Sequence, residues 1–497
     1  MGVLNIFKRK ELPRLITPDS NSTEIDVRYL ELVLAEWLDS PMRKEQLLAE
    51  QYYDGDHDIL RREKKVIGAD GTLVTIHNVA NNKLVDNQYR KLVDQKTNYV
   101  LGKPLTIATE DEKYLKELNK VFTKKVHRQI RTLARYAVDG AIAWLYPYYA
   151  EDGKLEFDVF ASYEICPLWK DKAHTKLNGA LRYYPDEVFD KNTGKTVTIH
   201  HVDVYTTNGI DHYLYHGGKL TADKTGHSPY MFIGETGYNW NRLPIIPFKY
   251  NDREIPLIRA VKSLQDSLNQ VLSDFQNNME EDPRSTILVL KNYDGTNISE
   301  FRQNLATYGV IKVTTVDGVQ GGVDTLNVEV NAANYQAILM QLKRAIVENG
   351  RGFDAKEERM DGDPNQMNIE SMYTDIDLDV NGMETEFQAG FEELKWFIDQ
   401  YLIQKNAGDF TESSVEFIFN RDIFINEDAK IENCVKSVGV ISNQTILSRH
   451  PWVTNVQHEV QQIEEDKKAE LDEMDATMKI QNKNNPKATN SRSSKGE

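Results

Sequence analysis

Apolar residues recur at every third or fourth position from Ile369 to Tyr401, over more than thirty residues, and this run restricts the fold more than any other feature of the chain. Ile369, Met372, Ile376, Val380, Met383, Phe387, Phe391, Leu394, Ile398 and Tyr401 would share one side of a helix. A helix with one apolar stripe must cover it, and ordinary core packing accounts for the stripe. Two shorter stripes precede it. Ile255, Ile258, Val261, Leu264, Leu268, Val271, Leu272 and Phe275 form the first, entered through "NDREIP", which reads as a cap followed by a first-turn proline. About 24 residues at about 1.5 Å each make that rod roughly 36 Å long. Tyr335, Ile338, Leu339, Leu342 and Ile346 form the second, which stops at "ENGRGFD".

Around these rods the pattern changes several times. Residues 1–24, basic and then polar, with Pro13 and Pro18, read as a flexible arm. Helical spacing covers 25–53, 82–100 and 113–138, with a turn at "YYDGDHDIL" and a hairpin or loop over 61–77. Between 140 and 250 the chain is rich in aromatic and β-branched residues parted by Gly, Asn and Asp, which predicts an antiparallel sheet region. Residues 284–330 look strand-like around one short helix at 299–306. Residues 355–368, "AKEERMDGDPNQMN", carry no apolar periodicity. A strand or two at 415–426, short helices at 427–439 and 442–453, and a charged helix at 457–479 precede a tail expected to be disordered. The class is α+β, mainly helical. At 497 residues the chain is too long for one compact core, so two to four units are expected.

Charge narrows the function classes. With 77 acidic against 60 basic side chains the net charge is −17. Tight DNA binding works by neutralising phosphates with Lys and Arg, so a uniformly acidic chain is a poor repressor, polymerase or packaging coat. It remains compatible with a conduit along which DNA slides, and also with charge that serves solubility alone. Two distant cysteines, Cys166 and Cys434, exclude a disulfide framework and a Cys-based zinc site. No apolar run approaches the roughly 18 residues needed to span a bilayer, so no membrane role is expected. No secretory signal is expected at the start, and Ile6 stands where a myristoylation motif wants Ser or Thr.

Enzymatic signatures are poor. The chain has no G-x-x-x-x-G-K-[ST] loop, no G-x-S-x-G elbow and no H-E-x-x-H. "GRG" at Gly350–Gly352 lacks a third glycine and follows a helix. His200 and His201 are neighbours on a strand and point to opposite faces, so with Asp203 they make no chelate. Asp377, Asp379, Asn381 and Gly382 match four positions of a calcium loop, but Gln388 stands where the bidentate Glu belongs. Asp375 and Asp379 would share a helix face that Asp377 does not, which weakens a metal-dependent nuclease reading. "DGDHD" at 54–58 reads as a turn with flanking carboxylates. No catalytic residue, metal or cofactor is expected.

Read in order, several blocks resemble the portal family of long-tailed phages infecting Gram-positive bacteria. "YYDGDHDIL" (52–60) resembles that family's early Tyr-Tyr-x-Gly turn, and "NNKLVDNQYRKLVDQKTNYVLGKPLTI" (81–107) its next block. "YEICPLW" (163–169), "NRLPIIPFKYND" (241–252), and "VGVISNQTILSRHPWV" (438–453) followed by "HEVQQIEEDKKAE" extend the likeness over about residues 25–475. The resemblance implies a portal fold with wing, stem, clip and crown, assembled as a ring of twelve subunits at one capsid vertex. On that basis 1–24 is the arm, 25–251 the wing, 252–282 stem helix 1, 283–330 the clip, 331–354 stem helix 2, 355–368 the tunnel loop, 369–404 the long wing or channel helix, 405–480 the crown and 481–497 the tail.

It also implies a channel for packaging and ejecting double-stranded DNA without sequence-specific binding, and a role in starting procapsid assembly. The implied partners are the terminase motor, scaffolding protein, the major capsid protein and a head-completion adaptor. The implied location is the virion, after assembly in the host cytoplasm. The DNA-facing residues implied in the tunnel loop are Lys356, Glu357, Glu358, Arg359, Asp361, Asp363, Asn365 and Gln366, with Lys343, Arg344 and Arg351 as stem charges. The competing readings are another virion or tail structural protein and the nuclease.

Overall fold

The computed structural model describes residues 16–18, 26–67, 71–75, 80–191, 194–281, 287–291, 322–326, 332–354, 366–421, 427–453, 456, 459–460, 462–469 and 471. The expected helix at 299–306, the strand-like stretches at 308–313 and 327–330, residues 355–365, and 472–497 lie outside the described residues. Contacts divide the chain into two compact units, one comprising 1–354 and 373–422, the other 355–372 and 423–497.

The helices of the first unit are α1 (Val27–Leu38), α2 (Pro41–Tyr53), α3 (Gln88–Leu101), α4 (Glu112–Val121), α5 (Lys124–Gly140), α6 (Ile258–Glu281), α7 (Ala332–Asn349) and most of α8 (Gln366–Gln404). Two stretches that read as single helices are each broken in two. Between α1 and α2, Ser40 accepts a hydrogen bond from Arg43 N–H, and Pro41 takes the first helical position, where its missing N–H costs nothing. Between α4 and α5, Phe122 and Thr123 leave helical geometry. The expected 82–100 helix starts later, at Gln88, because residues 80–87 are non-helical and turn at Asn87, where Gln88 N–H bonds the Asp86 carbonyl.

The predicted sheet region forms three antiparallel sheets. The largest has five strands in the order Lys219–Ser228, Gly209–His216, Lys195–Thr206, Leu177–Asp190, Ile165–Trp169. One of its faces packs Cys166, Leu181, Val202, Val204 and Leu220 against Leu30 and Leu34 of α1. A second sheet sets Ile142–Tyr149 between Ile246–Lys249 and Leu155–Phe160. In the third, Ile16–Pro18 pairs with Thr236–Trp240, so part of the supposed flexible arm is an edge strand.

The long stripe packs as its spacing predicts. Ile376, Val380, Met383, Phe387, Phe391, Leu394 and Ile398 on α8 are fully buried. Phe248 meets the rings of Phe387 and Phe391 edge-on at 5.1 and 5.3 Å, over Gly390, where a Cβ would stand 2.7 Å from the Phe248 ring. The second unit includes α9 (Glu427–Lys436) and α10 (Asn443–Arg449), the latter capped by Ser442, and residues 462–469 of the expected charged helix are helical.

Candidate functional site

The two mid-chain rods are α6 and α7. At 24 and 18 residues they extend about 36 and 27 Å. The entry to α6 differs from expectation. Asn251 does not cap the helix; its side chain bonds both the N–H and the C=O of Ile255, closing a turn before a helix that starts two residues after Pro256.

The buried face of α6 keeps Ile258, Val261 and Leu268 of the apolar stripe, at 1, 0 and 0% exposure, but leaves the rest of it. The most buried positions include Gln265, Asn269, Ser273 and Asn277, at 0, 0, 0 and 2% exposure, whereas Leu264, Val271, Leu272 and Phe275 of the apolar stripe stay half-buried. The four polar residues recur every fourth position and meet the extended segment before α3. Gln265 Oε1 accepts from the N–H groups of Gln88 and Tyr89, both at 3.0 Å. Asn269 Oδ1 accepts from Asp86 N–H (3.0 Å), Ser273 Oγ from Leu84 N–H (2.9 Å) and Asn277 Oδ1 from Asn82 N–H (2.7 Å).

The repeats match. Four helical residues rise about 6.0 Å and two extended ones about 6.6 Å. Backbone donors that would otherwise be orphaned under a helix are therefore satisfied by its side chains.

The "YYDGDHDIL" turn completes this socket. Tyr52 donates its hydroxyl to Asp266 on α6 (2.5 Å) and stacks on His57 at 4.3 Å. His57 is fully buried between Asn269 Nδ2 on Nδ1 (2.8 Å) and the Tyr52 carbonyl at Nε2 (3.1 Å), an arrangement that suits a neutral ring protonated on Nε2. Burial holds its pKa below the usual histidine range, against the opposing pull of the Tyr52 carbonyl. Asp58 pairs with Lys262 (2.7 Å) and Asp56 with Arg61.

The far end of α7 is tied to α3 and α8. Gly350 and Gly352 lie against Leu92: a Cβ at Gly350 would sit 2.5 Å from Leu92 Cδ1, and one at Gly352 2.3 Å from Leu92 Cδ2. Close approach, not nucleotide binding, explains "GRG" here. Gln95 grips Phe353 at both backbone groups, 2.6 and 2.9 Å, and Phe353 stacks on Tyr373 at 4.3 Å. Lys96 is fully buried; it donates to Asp379 (2.5 Å) and to the Arg351 carbonyl (3.1 Å). Tyr250 also donates to Asp379. Burial lowers the Lys96 pKa against the pull of Asp379, and raises that of Tyr250, with Asp379 adding to it.

Of the expected channel residues, Lys356, Glu357, Glu358, Arg359, Asp361, Asp363 and Asn365 lie outside the described residues. Gln366 opens α8, so 366–368 are helical rather than loop. Lys343 pairs with Asp86 (2.7 Å), and Arg344 with Glu348 one turn on (2.8 Å). Arg351 is not on α7, which ends at Asn349; it sits beyond the helix at φ 48°, with Nη1 3.8 Å from Asp379.

The carboxylates of the calcium-like run are engaged by protein. Asp377 accepts from Tyr99 (2.6 Å) and Arg421 (2.8 Å), and Arg421 also reaches Asn381 and Glu384. His200 stacks on Tyr183 and His201 on Tyr184, while Asp203 bonds His212 (2.7 Å). Among the described residues no three His, Cys, Asp or Glu side chains are grouped to hold a metal ion. Nor is any helix among them long and apolar enough to cross a membrane. Cys166 and Cys434 are buried and unbridged, and burial pushes the Cys166 thiol up to about 12.

The ladder on α6 escaped sequence reasoning, although its signal was there: Gln265, Asn269, Ser273 and Asn277 at strict four-residue spacing. Gln95 and Lys96 carried no such mark.

Comparison with known proteins adds a separate line. A family model described as "Phage portal protein, SPP1 Gp6-like" matches residues 42–473. The chain is 26% identical over 466 residues to the portal protein of Bacillus phage SPP1, covering 92% of this chain and 90% of that one. It is 27% identical over 440 residues to the portal protein of Clostridium phage phiCD119, covering 86% and 94%. A chain from a solved structure titled "Virion of native gene transfer agent (GTA) particle" matches 72% of this chain and 87% of its own length at 13% identity, with a TM-score of 0.39.

Proposed function

The chain belongs to the phage portal protein family, SPP1 Gp6-like, and from that premise we propose how its segments divide the work of the portal. The family implies an oligomeric ring in the virion. In this reading twelve copies close around a pore at one capsid vertex, and double-stranded DNA passes through without sequence-specific binding. The subunit performs no bond chemistry.

Residues 25–251 serve as wing, α6 and α7 as stem, 283–330 as clip, 355–365 as tunnel loop and 405–480 as crown. The clip meets the terminase motor during packaging and the head-completion adaptor afterwards. Scaffolding and major capsid protein meet the ring during assembly in the host cytoplasm. Lys343 and Arg344 lie on the stem with Arg351 just past its end, and Lys356, Glu357, Glu358, Arg359, Asp361, Asp363 and Asn365 line the narrowest passage, with Gln366 at the start of α8 beside them. Mixed signs with an acidic excess touch phosphates without trapping them.

One observation supports the stem assignment beyond family membership. The rods leave apolar surface uncovered within one subunit: Leu264, Val271, Leu272 and Phe275 are half-buried, and Ile338, Met340 and Met279 are 48, 70 and 48% exposed. A closed ring supplies a neighbour to every copy.

Negative-stain imaging and native mass measurement of the intact chain test this. Closed rings with a central hole are expected, together with loss of rings in an Ile338→Glu, Met340→Glu variant that keeps its helical content. Rings that form unchanged in that variant would remove α7 from the interface. Deleting 355–365 should leave rings intact and abolish packaging; loss of assembly instead would displace the tunnel loop from that segment.

A further inference from the structure

Helix α5 is strongly basic in this acidic chain, with Lys124, Lys125, Arg128, Arg131 and Arg135 against Asp139 alone. Arg128, Arg131 and Arg135 stand at i, i+3 and i+7, hence along one face. That face looks across a cleft of about 200 Å³ towards Asp94, Thr97 and Asn98 on α3, with Tyr53 also lining it.

The charges in the cleft do not balance. Arg135 is satisfied by Glu50 at 3.2 Å and lies over the Tyr53 ring at 4.6 Å. Asp94 is held by the Tyr53 hydroxyl at 2.8 Å, with Arg90 at 3.7 Å. Arg131 has a neutral partner, the Asn98 side-chain oxygen. Arg128 is exposed and makes no side-chain bond or ion pair among the described residues. Two guanidinium groups thus face one cleft with no carboxylate of their own, in a chain of net charge −17. A second observation points the same way. Thr97, 4% exposed, lines the cleft, and its buried hydroxyl has no hydrogen-bond partner among the described residues.

We propose that the cleft between α3 and α5 is an oxyanion site that binds a phosphate group. Guanidinium forks present paired N–H donors in the geometry that phosphate oxygens accept, and such charge-assisted bonds are the strong ones. A phosphate carries the charge that Arg128 and Arg131 leave unmatched, and its several oxygens leave one for the Thr97 hydroxyl. The group is either free phosphate or a phosphodiester of the DNA backbone. Both present the same chemistry to the cleft.

The intact chain is titrated with inorganic phosphate in a calorimeter at low salt, and separately with a fluorescently labelled 20-base-pair duplex by anisotropy across a salt series. The comparison is with Arg128→Gln/Arg131→Gln, whose exposed side chains can be replaced without loss of core, and with Thr97→Val. Saturable phosphate binding is expected, at least tenfold weaker in the double variant and several-fold weaker in Thr97→Val, with unchanged melting of both. If the duplex also weakens in the double variant, with a salt slope smaller by about two, the bound group is the DNA phosphodiester. If phosphate binding depends on the arginines and duplex binding does not, it is the free anion. Absence of saturable phosphate binding, or equal affinity in wild type and double variant, overturns the proposal.

Discussion

Replacing Asn269 by Leu should unzip the segment before α3 while leaving α6 a helix. Leucine branches like asparagine with the same number of side-chain heavy atoms and is a better helix former, so neither a cavity nor lost propensity confuses the result. Three groups lose a partner, but the Gln265 amide, which gives up Asn269 Oδ1 (3.1 Å), keeps the Asp86 carbonyl (2.8 Å), so two are left unmade. Asp86 N–H loses the Asn269 oxygen (3.0 Å), and His57 Nδ1 loses the Asn269 amide (2.8 Å). Leaving a buried polar group unmade costs about 1–3 kcal/mol. Asp86 is half-buried, so water can reach its N–H and the low end applies; His57 is fully buried and takes the whole range. The sum is about 2–4 kcal/mol of local stability.

Amide hydrogen exchange reads that quantity directly, because local opening sets the protection. At about 1.4 kcal/mol per decade, the Leu84, Asp86, Gln88 and Tyr89 amides should exchange roughly 30- to 700-fold faster. Gln270→Leu, the exposed neighbour, should leave them unchanged. Exchange at these amides within threefold of wild type in Asn269→Leu, or a loss of protection spread evenly through α1 and α5, would refute the idea that this ladder holds the socket together.

Other substitutions probe the remaining buried polar groups. Lys96→Met should cost about 3–5 kcal/mol by leaving the Asp379 carboxylate without its buried cation, and Lys96→Met/Asp379→Leu should recover most of the loss; additive costs in denaturant titrations would mean the two are not coupled. Asp139 sits at 2% exposure and accepts from the Tyr89 hydroxyl, and its pKa is raised, first by burial and then by nearby Glu50. A folded pKa above the unfolded one means the native state binds the extra proton, so this group's contribution to stability falls as pH rises from about 4 through the raised value. Asp139→Asn, whose side-chain oxygen still accepts from Tyr89, should therefore raise the melting temperature at pH 8 and flatten its fall between pH 5 and 8; an unchanged profile would assign that fall to other groups. Gly390→Ala should lower stability by about 1–3 kcal/mol despite the better helix former, because the new methyl meets the Phe248 ring 2.7 Å away; a stabilised variant would show that the ring yields.

Much of the architecture was legible before any coordinates. The stripe from Ile376 to Ile398 became the buried side of α8, the aromatic region became antiparallel sheets, and the two mid-chain rods appeared where their spacing put them. Each of these is a local periodicity, and periodicity is what a chain states about itself. The resemblance over "YYDGDHDIL" and the blocks after it pointed to the family that the match over 42–473 shows. Breaks inside helical runs were harder. Ser40-Pro41 is a start signal inside what reads as one helix, and Phe122-Thr123 carries no breaker at all.

What only the tertiary structure decided is which face of each rod goes inward and with whom. On α6 the stripe goes inward at Ile258, Val261 and Leu268, and the Gln265–Asn269–Ser273–Asn277 ladder takes the place of its other members, because residues 82–89 bring backbone N–H groups that must be bonded wherever they are buried. Lys96 finds Asp379 across 283 residues of sequence. Nothing local marks either residue for the other, since a side chain's partner at that separation is set by how the whole chain closes, and a pattern read along the chain records only what repeats along it.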